Sequence, residues 1–258
     1  MPRVSVVIPA KNEARNIAWV LQRMPAYVDE VIVVDGLSTD GTLEVAKMIT
    51  PDVVVIHERR PGKGAAMRAG MDAARGDYII LIDADGSMDP VEIHRYVELL
   101  EAGYDMVKGS RNMPGGGSAD ITLLRQFGNA RLRDLANLLF GTDFTELCYG
   151  FVALRRRSVP SLALDADGFE IETQLVTRAV RAGLRIAEVP SMEAPRRYGE
   201  SNLNTFRDGW RVLMTILRER AARGAPRASS PVLGRTTLTA VPIEARDSSR
   251  SEAREEAT

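Results

Sequence analysis

Four short runs rich in β-branched residues, separated by segments with helical period, constrain this chain of 258 residues more than any other feature. Val4 to Ile8, Glu30 to Val34, Val53 to His57 and Tyr78 to Ile82 read as strands, and Glu13 to Met24, Thr42 to Ile49 and Ala65 to Ala74 as the helices between them. Strands alternating with helices at this spacing form βαβ units, so the first hundred residues are expected to build a doubly wound α/β sheet with its loops gathered at one end. An amphipathic helix after Pro90, carrying Ile93, Val97 and Leu100, leads to a short strand at Asp105 to Lys108.

The later chain continues the alternation less regularly. Leu123 to Phe140 reads as a helix, Gly150 to Leu154 as a strand, Phe169 to Ala182 as a helix ended by Gly183, and Leu184 to Val189 as a strand. The segment Gly115-Gly116-Gly117-Ser118 reads as a mobile loop or a tight turn, either a lid or a plain connection. A helix over 204–223 puts Phe206, Trp210, Leu213, Met214 and Leu217 on one face among arginines. Packing of that face on the body is the preferred expectation, with peripheral membrane contact as the alternative. Beyond Gly224 the composition turns to Pro, Ser, Thr, Arg and Glu, and residues 224–258 are expected to be a disordered tail.

Composition narrows the function. A net charge of -1 gives no electrostatic footprint for nucleic acid. No apolar stretch approaches the roughly 20 residues that cross a bilayer, and the N-terminus enters a strand pattern directly, so a cytoplasmic protein is expected. Cys148 is the one cysteine and reads as a small buried hydrophobe.

The chemistry is concentrated at the strand exits. Tyr78-Ile79-Ile80-Leu81-Ile82 ends in Asp83-Ala84-Asp85, two carboxylates with alternate spacing that can converge where open α/β sheets bind ligands. Such a pair repels itself unless a cation intervenes, and a hard divalent ion, Mg²⁺ or Mn²⁺, that itself holds a diphosphate satisfies the pair. At the first exit, Pro9 is expected to end strand pairing, and Asn12 and Glu13 offer groups for a ribose or base edge, although from the segment alone a helix cap is the simpler reading. Asp35 at the second exit can accept from a base, while Asp40 reads as a helix cap. Gly62-Lys63-Gly64 lets backbone approach a ligand while Lys63 faces phosphate. It matches neither the P-loop nor the dinucleotide fingerprint.

Taken together, Pro9 to Glu13, Asp35 to Thr42, Gly62 to Gly70 and Asp83 to Asp85 resemble the nucleotide-sugar half of glycosyltransferase family 2, whose fold is GT-A. Lys108 to Arg111, Cys148 to Phe151, Glu188 to Pro190 and Arg196 to Leu203 are similar to its polyprenyl-phosphate mannosyltransferase and glucosyltransferase branch, and the resemblance covers residues 4 to 220. It implies a single GT-A domain over 1–223, with a nucleotide-sugar half at 1–110 and an acceptor half at 111–223. The fold class is then a Rossmann-like, mostly parallel sheet with helices on both faces and a C-terminal amphipathic helix.

The resemblance further implies an inverting hexosyltransferase. Pro9, Asn12, Glu13, Asp35, Lys63, Asp83 and Ala84 would hold a UDP- or GDP-sugar, and Asp83 and Asp85 the metal. Arg111, Arg125, Arg196, Arg197 and Ser201 would meet a polyprenyl phosphate or the leaving diphosphate, at the inner face of a membrane. Glu146, and after it Asp143, would serve as base for a hydroxyl acceptor, whereas with a phosphate acceptor Glu146 would position an arginine. Transfer to a hydroxyl acceptor and a nucleotide-sugar-binding module without turnover are the alternatives. Ser87 stands where relatives often carry a glutamine, and Gly36-Leu37 replaces a commoner Asp-Gly.

Overall fold

The computed structural model describes residues 2–119, 121–200 and 203–222; Ser201 and the segment 224–258 lie outside them. The first half forms as its periodicity dictates: β1 (Val4–Ala10), α1 (Ala14–Gln22), β2 (Glu30–Asp35), α2 (Thr42–Ile49), β3 (Val54–His57), α3 (Lys63–Ala73) and β4 (Tyr78–Leu81). Then come α4 (Ile93–Glu101), β5 (Met106–Ser110), β6 (Gly117–Ser118), α5 (Leu123–Phe140), β7 (Val152–Arg155), α6 (Val159–Leu162), α7 (Ile171–Arg181), β8 (Ile186–Pro190), β9 (Met192–Glu193) and α8 (Thr205–Ala221).

Seven strands make one sheet in the order β3-β2-β1-β4-β7-β5-β8. β7 runs antiparallel to both its neighbours and every other pairing is parallel. The later half therefore inserts a strand into the sheet begun by the first.

Alternation along the strands splits the core into two. Val6, Ile8, Val33, Ile80 and Ile82 pack with Ile17, Val20, Ile93 and Leu100 of α1 and α4 on one face. Val7, Ile32, Val34, Ile79 and Leu81 pack with Met67, Met71, Ile171, Leu175, Val212 and Ile216 of α3, α7 and α8 on the other. These layers leave the exits of β1, β2 and β4 free at one end of the sheet.

Three expectations need correction. Pro9 does not end β1, because Pro9 and Ala10 stay in register with Val34 and Asp35. The Ala10 carbonyl accepts from Gly36 N at 2.8 Å, so by alternation the missing amide of Pro9 points the other way, past the last β1–β4 pair at Val7 and Leu81. The glycine segment is not simply a loop: Gly117 and Ser118 pair with Met192 and Glu193 as a small second sheet.

The third concerns α8. Its core-facing residues are Val212, Thr215 and Ile216 together with Asp208 and Glu219, whereas Phe206, Trp210, Met214 and Leu217 are exposed. At 100° per residue these two sets lie on opposite sides of the helix, so the apolar stripe read from the sequence is not the packing face.

Candidate active site

The strand exits open into a cavity of about 690 Å³. Its acidic wall follows β4. Asp83 and Asp85 both line it, with Ala84 between them, just past the last ladder pair that fixes β4 against β1.

Each carboxylate is paired with a cation of the chain itself. The Lys63 Nζ lies 2.6 Å from Asp83 and donates to Glu172 at 2.8 Å. The Arg196 guanidinium lies 3.4 Å from Asp85, whose other oxygen accepts from Ser87 N at 3.0 Å. Burial pushes the Asp83 carboxyl up to about 6, with Lys63 opposing and Asp85 and Glu172 adding to the rise. Burial alone would lower the Lys63 ammonium, but Asp83 and Glu172 outweigh it and hold it above its ordinary value.

Gly150 closes over this cluster. A Cβ there would stand 2.5 Å from the Lys63 Nζ and 3.0 Å from Glu172, so the position admits no larger residue without moving the lysine. Glu172 escaped the sequence reading. Its signal was a carboxylate in the first turn of α7, on a face otherwise formed by Ile171, Leu175 and Val176.

Gly62 lines the cavity, and Gly62 and Gly64 have a second role that the sequence did not suggest. They make room for the chain's own 166–168 backbone, since a Cβ on Gly62 would meet the Asp167 carbonyl at 2.0 Å and one on Gly64 the Ala166 carbonyl at 2.3 Å. The Asp167 carbonyl accepts from Gly64 N at 2.8 Å, so the start of α3 is capped from within the protein. Lys63 nevertheless faces the cavity.

Most of the arginines come from the later half. Arg111, just past β5, donates to Glu146 at 3.0 Å, to Glu193 at 3.0 Å and to the Cys148 carbonyl at 2.8 Å. Burial disfavours its charge, but Glu146 and then Glu193 outweigh this and raise it. Glu146 is buried behind that guanidinium and also accepts from Asn112 at 3.2 Å. Its loop is held by Glu188, which accepts from Thr145 N at 2.8 Å and Glu146 N at 3.1 Å, and by the wholly buried Lys108, which donates to the Glu146 carbonyl at 2.8 Å.

Arg196 belongs to a strap over the acidic wall. Ala194 N donates to Ser87 O, Arg197 N to Asp85 O, and the Arg196 side chain pairs with Glu13. Arg125, at the start of α5, and Arg207 and Arg211, in the first turns of α8, also line the cavity, and Lys11, Arg59 and Arg60 add to its basic lining from the first half.

Several expected residues stand elsewhere. Asn12 and Asp35 do not line the cavity: Asn12 accepts from Thr39 N at 2.9 Å, and the buried Asp35 accepts from Ser38 N at 3.1 Å. The cavity meets Pro9, Ala10, Lys11, Gly36 and Leu37 instead. Glu13 lines it but is engaged with Arg196 and with Asn16, the latter at 2.6 Å. Arg197 lies over the Trp19 ring at 3.9 Å and is outside the lining, and the exposed Asp143 is outside it too. Asp40 does cap, accepting from Thr42 N at 3.1 Å and from Ala14 N at 3.0 Å. The Cys148 thiol, pushed up to about 12 chiefly by burial, is no nucleophile at neutral pH. Glu193, Arg207 and Arg211 went unread because single charged residues carry no period.

Among the described residues no group of three or more His, Cys, Asp or Glu is arranged to hold a metal. The donor chemistry nevertheless suits a divalent ion: two hard carboxylates on one cavity wall, with room beside them for oxygens of a ligand.

Comparison with known proteins agrees with this geometry. The Glycosyl transferase family 2 model matches residues 5–162. The polyprenol monophosphomannose synthase of Mycolicibacterium smegmatis is 32% identical over 215 residues, covering 78% of this chain and 81% of that one. The undecaprenyl-phosphate mannosyltransferase of Micrococcus luteus is 32% identical over 78% of this chain and 88% of its own length. Among solved structures, glucosyl-3-phosphoglycerate synthase from Mycobacterium tuberculosis, in complex with Mn²⁺, UDP-glucose and phosphoglyceric acid, superposes with a TM-score of 0.68 at 26% identity, over 85% of this chain and 80% of that one. The fold is thus GT-A, as the sequence resemblance implied. With acids delivered by the β4 exit, arginines by the later half and a match over most of the sheet, this chain belongs to glycosyltransferase family 2.

Proposed function

We propose that this glycosyltransferase moves a hexosyl group, with inversion, from a nucleoside-diphosphate sugar to a polyprenyl-phosphate acceptor. The observation that carries the reading is the two-signed cavity: Asp83 and Asp85 follow β4, and Arg59, Arg60, Arg111, Arg125, Arg196, Arg207 and Arg211 stand around the same space. A donor diphosphate and an acceptor phosphate both need cations. Seven guanidiniums exceed what one diphosphate uses, and planar forks pair with phosphate through two hydrogen bonds. Relatives named for polyprenol and undecaprenyl phosphate support the same acceptor class.

Asp83 and Asp85 would hold Mg²⁺ or Mn²⁺, which when bound supplies Lewis-acid stabilisation of the departing diphosphate. Lys63 adds positive charge beside the acids, and Arg196 is placed to exchange Asp85 for phosphate. The nucleoside would rest against Pro9, Lys11, Gly36 and Leu37.

A phosphate acceptor is already anionic and requires no base. This accords with Glu146, which is sealed behind Arg111 and orients that guanidinium. A hydroxyl acceptor on a phosphorylated acid is the second reading, favoured by the phosphoglyceric acid in the mycobacterial neighbour. It requires a base, and neither Glu146 nor Asp143 is among the residues lining the cavity.

The test is a transfer assay with UDP- and GDP-hexoses. Polyprenyl phosphate in detergent is offered against phosphoglyceric acid, with and without Mn²⁺. Product on the lipid phosphate alone is expected; product only on the soluble acid would replace this reading with the second.

A further inference from the structure

We infer that Glu58 and Arg60, at the β3 exit, read the base of the donor, and that the base they select has a ring N–H beside a carbonyl, as uracil and guanine do. The inference rests on the nucleoside-diphosphate donor of the proposed function and adds the groups that tell one nucleotide from another.

The sheet sets the position. The ladders of β1, β2 and β3 end at Ala10, Asp35 and His57, so Lys11, Gly36 and Glu58 follow at three adjacent exits, and all three line the cavity. Glu58 N donates to the Asp35 carbonyl at 2.9 Å and ties the β3 exit to that of β2. Three strand spacings separate β3 from β4, which puts Glu58 about 14 Å along the sheet edge from the acids past β4. A nucleoside diphosphate laid along that edge has its phosphates at the acids and its base at Glu58.

The floor between these ends is shaped for a flat ring. A Cβ on Gly36 would meet Ala10 O and Lys11 Cβ at an ordinary 3.5 Å, so the backbone does not demand a glycine there, and the missing side chain leaves open space. Leu37 beside it is 53% exposed yet holds a φ of 63°, a left-handed conformation costly for a bulky residue. Ser38 imposes it, donating from its N to Asp35 and accepting from Asn12 N at 2.9 Å. The constraint presents an apolar side chain to the cavity.

Glu58 and Arg60 supply the edge contacts. Asp35 is engaged by Ser38, and Glu13 by Arg196 and Asn16, which leaves Glu58 as the carboxylate at this end. One of its oxygens accepts from Arg60 N at 2.8 Å and Nε at 3.1 Å, the other from Nη2 at 2.7 Å. The Arg60 side chain, and after it the Arg60 amide, hold the carboxyl down at about 2, so it stays an acceptor. A carboxylate has about four lone-pair sites, so the second oxygen keeps one free. Arg60 Nη1 donates to no group among the described residues.

One free acceptor beside one free donor matches N3–H and O4 of uracil, or N1–H and O6 of guanine. Cytosine and adenine carry no ring N–H on that edge. Their exocyclic amino groups are less acidic donors and weaker partners for a carboxylate. A site built to bind a hydrogen-bonding group rejects an analogue without it.

Calorimetry on the full chain with Mn²⁺ tests the inference, using UDP, GDP, CDP, ADP and pyrophosphate on the parent, Glu58→Gln and Arg60→Ala. UDP, GDP or both should bind the parent about tenfold or more tighter than CDP and ADP, and the UDP and GDP arms show which base is used. In each variant that preference should shrink about tenfold while pyrophosphate binds as it does to the parent. The Arg60 side chain is 58% exposed, so Arg60→Ala should melt where the parent does and keeps the test open should Glu58→Gln misfold.

Equal affinity of the parent for the four nucleotides, a preference for CDP or ADP, or a preference unchanged in the variants would overturn the inference. So would a loss that extends equally to pyrophosphate, since the pair would then be structural. Pyrophosphate binding without base preference leaves the donor reading standing, whereas failure of pyrophosphate and all four nucleotides to bind removes both.

Discussion

The two walls of the cavity are built by different kinds of order. The acidic wall is an extension of the backbone ladder: β4 is clamped between β1 and β7, and Asp83 and Asp85 follow within four residues of its end. The basic wall is a lattice of side chains, with Arg111 fixed by Glu146 and Glu193, Arg196 by Glu13 and Asp85, and Arg207 and Arg211 by Asp208. The first wall is rigid because main-chain bonds set it. The second has charges that can change partners when phosphate arrives.

That difference predicts unequal responses to substitution. Asp85→Ala should have the largest effect, lowering transfer on the order of 10²- to 10³-fold, as removal of a group that stabilises developing charge does. Its melting temperature should change little, since Asp85 faces the cavity rather than the core. Steady-state transfer beside a thermal melt checks both halves.

On the basic wall, stability should suffer more than chemistry. Glu146→Ala leaves the Arg111 guanidinium buried and short of a partner, and should cost about 3–5 kcal/mol of stability. Glu146→Gln, which keeps an acceptor, should recover much of that and transfer hexose to a phosphate acceptor with an unshifted pH profile. A vanished alkaline or acidic limb in that profile would return Glu146 to the role of base.

Gly150→Ala should be intermediate. The added methyl displaces Lys63 from between Asp83 and Glu172, an overpacking of about 1–3 kcal/mol, with weaker donor binding in calorimetry.

Acidity offers a finer probe. The Asp83 carboxyl is raised to about 6, so the folded chain holds this proton more tightly than the unfolded chain does. Ionised Asp83 therefore burdens the fold above that pH, and the burden lifts as pH falls toward the unfolded value near 4. Metal binding has the opposite sign, because it needs the carboxylate. Stabilisation by Mn²⁺ should fade as pH drops through about 6, whereas Asp83 itself does not destabilise the metal-free chain over the same range. Differential scanning fluorimetry at several pH values reads both trends. Smallest of all, Pro9→Ala should shift stability by no more than about 0.5 kcal/mol, since no ladder partner waits for its amide.

The same contrast explains what the sequence disclosed. Strand and helix periods recovered β1 to β4 and α1 to α3 within about two residues, because burial on both sheet faces writes itself into the hydrophobic pattern. Thr42–Ile49 and Leu123–Phe140 were legible to the residue. The acid pair was legible too, since it interrupts an apolar run.

Asp35 does stand at the β2 exit, but nothing in its spacing tells that its carboxylate accepts from Ser38 N within its own loop. Nor did the glycines beside Lys63 announce that a carbonyl of residues 166–168 would fill their space. On α8 a strong apolar stripe suggested a core face, while the true packing face hides Asp208 and Glu219, whose ion pairs with arginines make burial tolerable. Periodicity reports that a face is apolar, not which way it points.

The proposed transfer turns on Asp83 and Asp85 gripping a cation that holds an activated sugar. The most direct measurement is the thermal shift produced by UDP- and GDP-hexoses with and without Mn²⁺, in the parent and in Asp85→Asn, because a ligand bound only by the folded state raises its melting point. A rise with one nucleotide sugar that needs Mn²⁺ in the parent and is lost in the variant is the expected result. An equal, Mn²⁺-independent rise in both proteins would contradict it.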